Sequence, residues 1–173
     1  MASYYYLMAS LPMLRTDGEP PMDYGTFLEM CRGNVADGIF ATLEDLTIES
    51  DRGSLLREWA DFYGVLREEL IYQRRVKLSR SAKIPGNRDA AVTAAVTTAV
   101  NSDNPLVAEK ILLQLEFEKL DEMVGYHNFD ERALYGYAMK LQLLERQRTF
   151  DRKTGEEEFQ TLLDDLRQQV FSM

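Results

Sequence analysis

Residues 89–100, Asp-Ala-Ala-Val-Thr-Ala-Ala-Val-Thr-Thr-Ala-Val, decide the fold class. No charged side chain lies between Asp89 and Asp103. Alanine favours helix, whereas valine and threonine are branched at Cβ and weaken it. A buried strand is therefore the competing reading of this short apolar run. The preferred reading is a helix of small residues, suited to close packing. Nothing else in the chain demands a sheet, so with that reading the protein is all-α.

The flanks support discrete helices. Ile84-Pro85-Gly86-Asn87 breaks the chain just upstream. Before it, Ser54 to about Arg80 reads as one long helix. Leu55, Trp59, Phe62, Leu66 and Leu70 recur every three or four residues, and Leu56 and Tyr63 widen the stripe. Past Tyr72 the stripe thins and basic residues take over, so that end projects beyond the core or meets something acidic. Downstream, Asn104-Pro105 supplies an N-cap and a first-turn proline for a helix to about Val124, ended by Gly125. Asp130 caps another, to about Phe150, with Leu134, Tyr137, Ala138, Leu141 and Leu144 on one face. Thr154 and Glu157 form a capping box for a last helix bearing Phe159, Leu162, Leu163, Leu166 and Val170.

Nearer the start, Asp23 caps a short helix to about Arg32, closed by Gly33, and a second runs from Asp37 to about Thr47. Thr16–Pro21 is a loop. Residues 4–12, Tyr-Tyr-Tyr-Leu-Met-Ala-Ser-Leu-Pro, form a core or docking segment, with an extended conformation left open for it. The expectation is a bundle of six to seven helices forming one domain, 1–173. It can be subdivided into N-terminal helices, 1–84, and a C-terminal bundle, 85–173.

The totals bound the function. A chain of 173 residues buries roughly 70% of its unfolded surface and needs neither disulfide nor metal to fold. Its single cysteine, Cys31, suits a reducing cytoplasm. A net charge of −9 argues against nucleic acid as the main ligand and against general adhesion to anionic lipid. The opening stretch lacks the basic flank of a secretory signal, and no run of about 18 apolar residues occurs. The charge is uneven, however. Arg67, Arg74, Arg75, Lys77, Arg80, Lys83 and Arg88 hold seven of the 20 basic residues, opposed in that run only by Glu68 and Glu69. Three readings stay open for Arg74, Arg75, Lys77, Arg80, Lys83 and Arg88. They are a solvated helix end, a docking surface for an acidic protein, or a phosphate site. The last is weakened because no aromatic residue lies between the cations beyond Tyr72.

No catalytic motif emerges. Cys31 and His127 cannot furnish a zinc cluster, and no phosphate-binding glycine loop or serine elbow is present. No cofactor or metal is expected, and the protein reads as a non-enzyme. His127 is expected to bond the backbone of a turn, and Cys31 to act as a small buried hydrophobe. Asp151-Arg-Lys-Thr-Gly155 is similar to the DKTG phosphorylation motif of P-type pumps, but a residue intervenes between Asp and Lys, and Thr154 as an N-cap accounts for it. Glu145 falls beside the stripe of its helix and needs a partner, which Arg148 could supply.

Two stretches carry a resemblance. Tyr4, Tyr6 and Ala9 match the tyrosine–any residue–tyrosine opening, with alanine three residues on, of the C subunit (d in eukaryotes) of V/A-type rotary ATPases. Tyr137, Leu141, Glu145 and Arg148 match a helix of that subunit carrying tyrosine, a leucine-rich face, then glutamate and arginine. The opening from Tyr4 to Pro12 more closely resembles a small uncharacterised bacterial family encoded among V-type ATPase subunits. The resemblance implies a non-catalytic, all-helical part that couples or docks the central shaft to the membrane rotor ring. Its partners would be other ATPase subunits. It would lie in the cytoplasm, peripheral to the membrane through protein contacts only. The alternative is a free-standing helical adaptor or assembly factor.

Overall fold

Helices account for every regular element in the computed structural model, which describes residues 4–148. They are α1 (Tyr5–Ser10), α2 (Tyr24–Cys31), α3 (Asp37–Glu44), α4 (Ser54–Lys77), α5 (Ala90–Asn101), α6 (Pro105–Val124) and α7 (Glu131–Arg148). The expected last helix, the Thr154 capping box and the Asp151–Gly155 stretch lie outside the described residues.

The deciding stretch is helical. Asp89 caps α5, its carboxylate accepting from the backbone N–H groups of Ala91 and Val92. The buried residues Val92, Val96 and Ala99 follow helical spacing, not the alternation of a strand. Thr97 and Thr98 donate their hydroxyls to the carbonyls of Thr93 and Ala94, one turn back. That bonding satisfies the polar atoms that a helix otherwise tolerates poorly. Small side chains let α5 lie close against both α4 and α6.

Three boundaries differ from expectation. The opening stretch is helical over Tyr5–Ser10 and turns extended only at Leu11. Leu11 precedes Pro12, whose ring excludes the helical conformation from the residue before it. α3 stops at Glu44, short of Thr47. α4 stops at Lys77 because Ser79 takes a left-handed conformation, φ 53°. The N–H groups of Ser79 and Arg80 then cap the carbonyls of Val76 and Arg75, a Schellman closure.

Two apolar cores result, and both draw on α4 and α6. The larger gathers Phe27, Leu43, Leu56, Trp59, Leu120, Leu134 and Met139 from α2, α3, α4, α6 and α7. Trp59 is fully buried, and its indole N–H donates to the Ile48 carbonyl at 2.8 Å. The smaller core packs Leu66 against Val92, Val96, Ala99, Leu112 and Leu115, from α4, α5 and α6. Phe62 and Tyr63 border both. α6 and α7 cross closely at Gly136, where a Cβ would fall inside the Val124 side chain.

Candidate functional site

The basic run is divided by the fold. Arg74, Arg75 and Lys77 occupy the last turn of α4, where cations complement the helix dipole. Arg74 and Lys77 share a side of α4 with Arg67 and Leu70, above α5 and α6. Arg75 lies on the adjoining side with Ile71 and Tyr72, against residues 82–86, which bring Lys83. Lys77 Nζ also donates to the Val100 carbonyl, tying the end of α4 to the end of α5. Arg80, whose backbone N–H completes the Schellman closure, is exposed.

Arg88 does not belong with the free cations. Its guanidinium forks onto Glu69, with Nε donating to Oε2 at 3.0 Å and Nη2 to Oε1 at 2.7 Å. It also lies over the Tyr72 ring, 5.3 Å from the centroid. Glu69 is only 1% exposed. Burial alone would raise the pKa of its carboxyl. Hydrogen bonds from Arg88 and Gln73, and the charge of Arg88, outweigh that and hold it below the usual range. The pair fastens the 78–89 connection onto α4.

Arg74, Arg75, Arg80 and Lys83 have no ion-pair partner among the described residues. Around them Ile71, Val76, Leu78 and Ile84 are exposed at 48–63%. Among the described residues, one end of an acidic protein thus presents unpaired cations set among large alkyl groups.

A second buried ion pair was not visible in the sequence. Glu116 on α6, 1% exposed, accepts from Arg146 of α7 at 2.7 and 3.2 Å. Burial raises the Glu116 pKa above its usual value, and the nearby Arg146 only partly offsets this. The available signal was position, since Glu116 lies three residues after Leu113 and one before Phe117, inside the buried stripe of α6.

The resemblance-bearing stretches meet each other. Tyr4 is buried, whereas Tyr6 and Ala9 are exposed. The Tyr137 hydroxyl donates to the Pro12 carbonyl at 2.9 Å, and its ring stacks on Phe27 with centroids 5.5 Å apart. Burial pushes the Tyr137 phenol up to about 12. Leu141 is wholly buried. Glu145 finds its partner elsewhere than Arg148, accepting at 2.7 Å from the backbone N–H of Tyr24 at the start of α2. A carboxylate there complements the helix N-terminus. Arg148 instead acts on Asp23, whose carboxyl is held below its usual range by its hydrogen bonds to Thr26 and, less strongly, by the Arg148 charge.

Other candidates resolve simply. The His127 ring bonds the Asp130 carboxylate and not the backbone carbonyl of a turn. Cys31 is buried, and burial pushes its thiol up to about 11. Among the described residues, no group of three or more His, Cys, Asp or Glu side chains could hold a metal ion. Among them, too, no helix is long and apolar enough to cross a membrane.

Neither the curated proteins nor the solved structures contain a match to the chain. Residues 95–170, from within α5 through α6 and α7 and on past the described residues, are similar to a family of proteins of unknown function, DUF2764.

Proposed function

We propose that the chain is a non-catalytic docking subunit that binds an acidic protein surface through the free end of α4. The observation that supports this is the cluster of Arg74, Arg75, Arg80 and Lys83, unpaired among the described residues and interleaved with exposed Ile71, Val76, Leu78 and Ile84. Clustered charge of one sign steers encounter, and adjacent alkyl surface then stabilises the contact. The partner is a subunit of a V/A-type rotary ATPase, at the shaft or rotor ring. The Tyr4–Pro12 opening and the Tyr137–Arg148 helix carry that assignment by resemblance. The chain would then be cytoplasmic and held at the membrane by protein contacts.

Charge reversal tests the reading. Arg74→Glu, Arg75→Glu and Arg80→Glu together should abolish co-purification with ATPase subunits. Helicity by circular dichroism should fall by no more than fraying of the last turn of α4, because these side chains are exposed and lie outside both cores. Undiminished co-purification would contradict it.

A further inference from the structure

We propose that the groove running along α4 and α6 receives an amphipathic α-helix of the partner protein, with acidic residues two turns apart on its α4-facing side. The proposal rests on the docking reading above and adds the shape and chemistry of what docks. Two adjoining depressions, of about 330 and 230 Å³, share Leu70, Arg74, Glu109 and Leu112 and so form one groove. Along α4 it extends from Tyr63 to Leu78. That is about 22 Å at the rise of an α-helix, the length of a four-turn helix.

The floor is alkyl, supplied by Leu66, Leu70, Ala99 and Leu112. The two walls differ in charge. The α4 wall carries Arg67, Arg74 and Lys77. Arg67 and Arg74 are seven residues apart, two turns, and therefore project from the same side. Among the described residues Arg67 pairs only with exposed Glu49, at 3.5 Å, a contact that a better-placed carboxylate can displace. Arg74 has no ion-pair partner among the described residues. Across the groove, the α6 wall offers Glu109 and the alkyl side of Ala108. At the Tyr63 end the groove is bounded by Glu116 and Arg146, already paired with each other.

A helix matching these walls lays apolar residues at i, i+3, i+4 and i+7 on the floor, the helix-in-groove mode. It sets Asp or Glu at two positions seven apart against Arg67 and Arg74. A basic residue on its other flank suits Glu109. An all-apolar occupant would leave the α4 cations unanswered, and a small anion would leave the alkyl floor empty.

The test places a photoreactive benzophenone side chain in the full chain, in its native cells, at Ala108 in the groove or at Ile84 on the cationic tip. The cross-linked peptide is then sequenced. The proposal expects cross-links at both positions. The peptide captured at Ala108 should show the apolar helical spacing with acids seven apart. Arg67→Glu with Arg74→Glu should cut that yield about tenfold. Capture at Ile84 but not at Ala108 would overturn the groove and leave the docking reading standing. Capture at Ala108 of this chain's own residues 149–173, of a second copy, of lipid, or of a basic peptide would also overturn it. Capture at neither position would overturn both readings.

Discussion

One glycine and one ion pair hold α6 and α7 together, and both are open to direct tests. Gly136 lets α7 approach Val124 of α6 more closely than any side chain would allow. Gly136→Ala should destabilise the fold by about 1–3 kcal/mol through overpacking. Adding Val124→Ala should recover part of that, as read by urea unfolding of the single and double variants. The Glu116–Arg146 pair is the second. Arg146→Met removes the cation and leaves a nearly inaccessible carboxylate. Stability should fall by about 3 kcal/mol, because an uncompensated buried charge is the expensive outcome. Glu116→Gln should be milder, and equal losses for the two variants would argue against the pair as described.

At the scale of elements, most of the fold was legible because local rules and tertiary packing agree. The stripe from Leu55 to Leu70, the Asp23 and Asn104 caps and the Pro105 start each mark a helix without knowledge of its neighbours. The 89–100 stretch reads as a helix from its alanines although its composition points both ways, and the burial of Val92, Val96 and Ala99 bears that out. What the sequence concealed were features made by long-range contacts. Arg88 reaches back 19 residues to Glu69, and Arg146 reaches back 30 to Glu116. Neither distance in sequence carries a periodic signal. The candidate site was therefore legible as a basic run, but not as separate faces with Arg88 withdrawn from it. The end of α4 was concealed as well, because Ser79 is no ordinary left-handed residue. Ser79→Gly should stabilise the protein by about 0.5–1 kcal/mol, since glycine adopts that conformation without a steric penalty. A fall in the melting temperature would contradict the Schellman closure.

The two buried glutamates should also respond to pH with opposite signs. The folded-state pKa of Glu69 is lowered, so its contribution is present above the ordinary carboxylate range. It is lost as pH falls through the depressed folded value. The folded-state pKa of Glu116 is raised, so the folded protein holds that proton more tightly. Its contribution is lost as pH rises from the ordinary value through the raised one. In melting temperature against pH, Glu69→Gln should therefore flatten the acid limb, and Glu116→Gln should remove a loss on the other side of it. Parallel curves for both variants and the parent protein would refute these assignments.

Across the whole molecule, charge and packing are distributed unequally. The net charge is −9, yet cations with no ion-pair partner among the described residues collect at the end of α4, around exposed alkyl groups. At the other core, α7 holds the N-terminal region by Tyr137 to Pro12 and Glu145 to Tyr24. The docking proposal rests on this one chemically distinct end. Its attachment should be salt-dependent, because solvent-exposed charges are screened within about 8–10 Å at moderate ionic strength. The most direct measurement is a pull-down of the tagged full chain from native membranes, washed first in low and then in high salt. Rotary ATPase subunits retained at low salt and released at high salt are the predicted result. Their absence at both salt concentrations would contradict the account and leave a free-standing adaptor in its place.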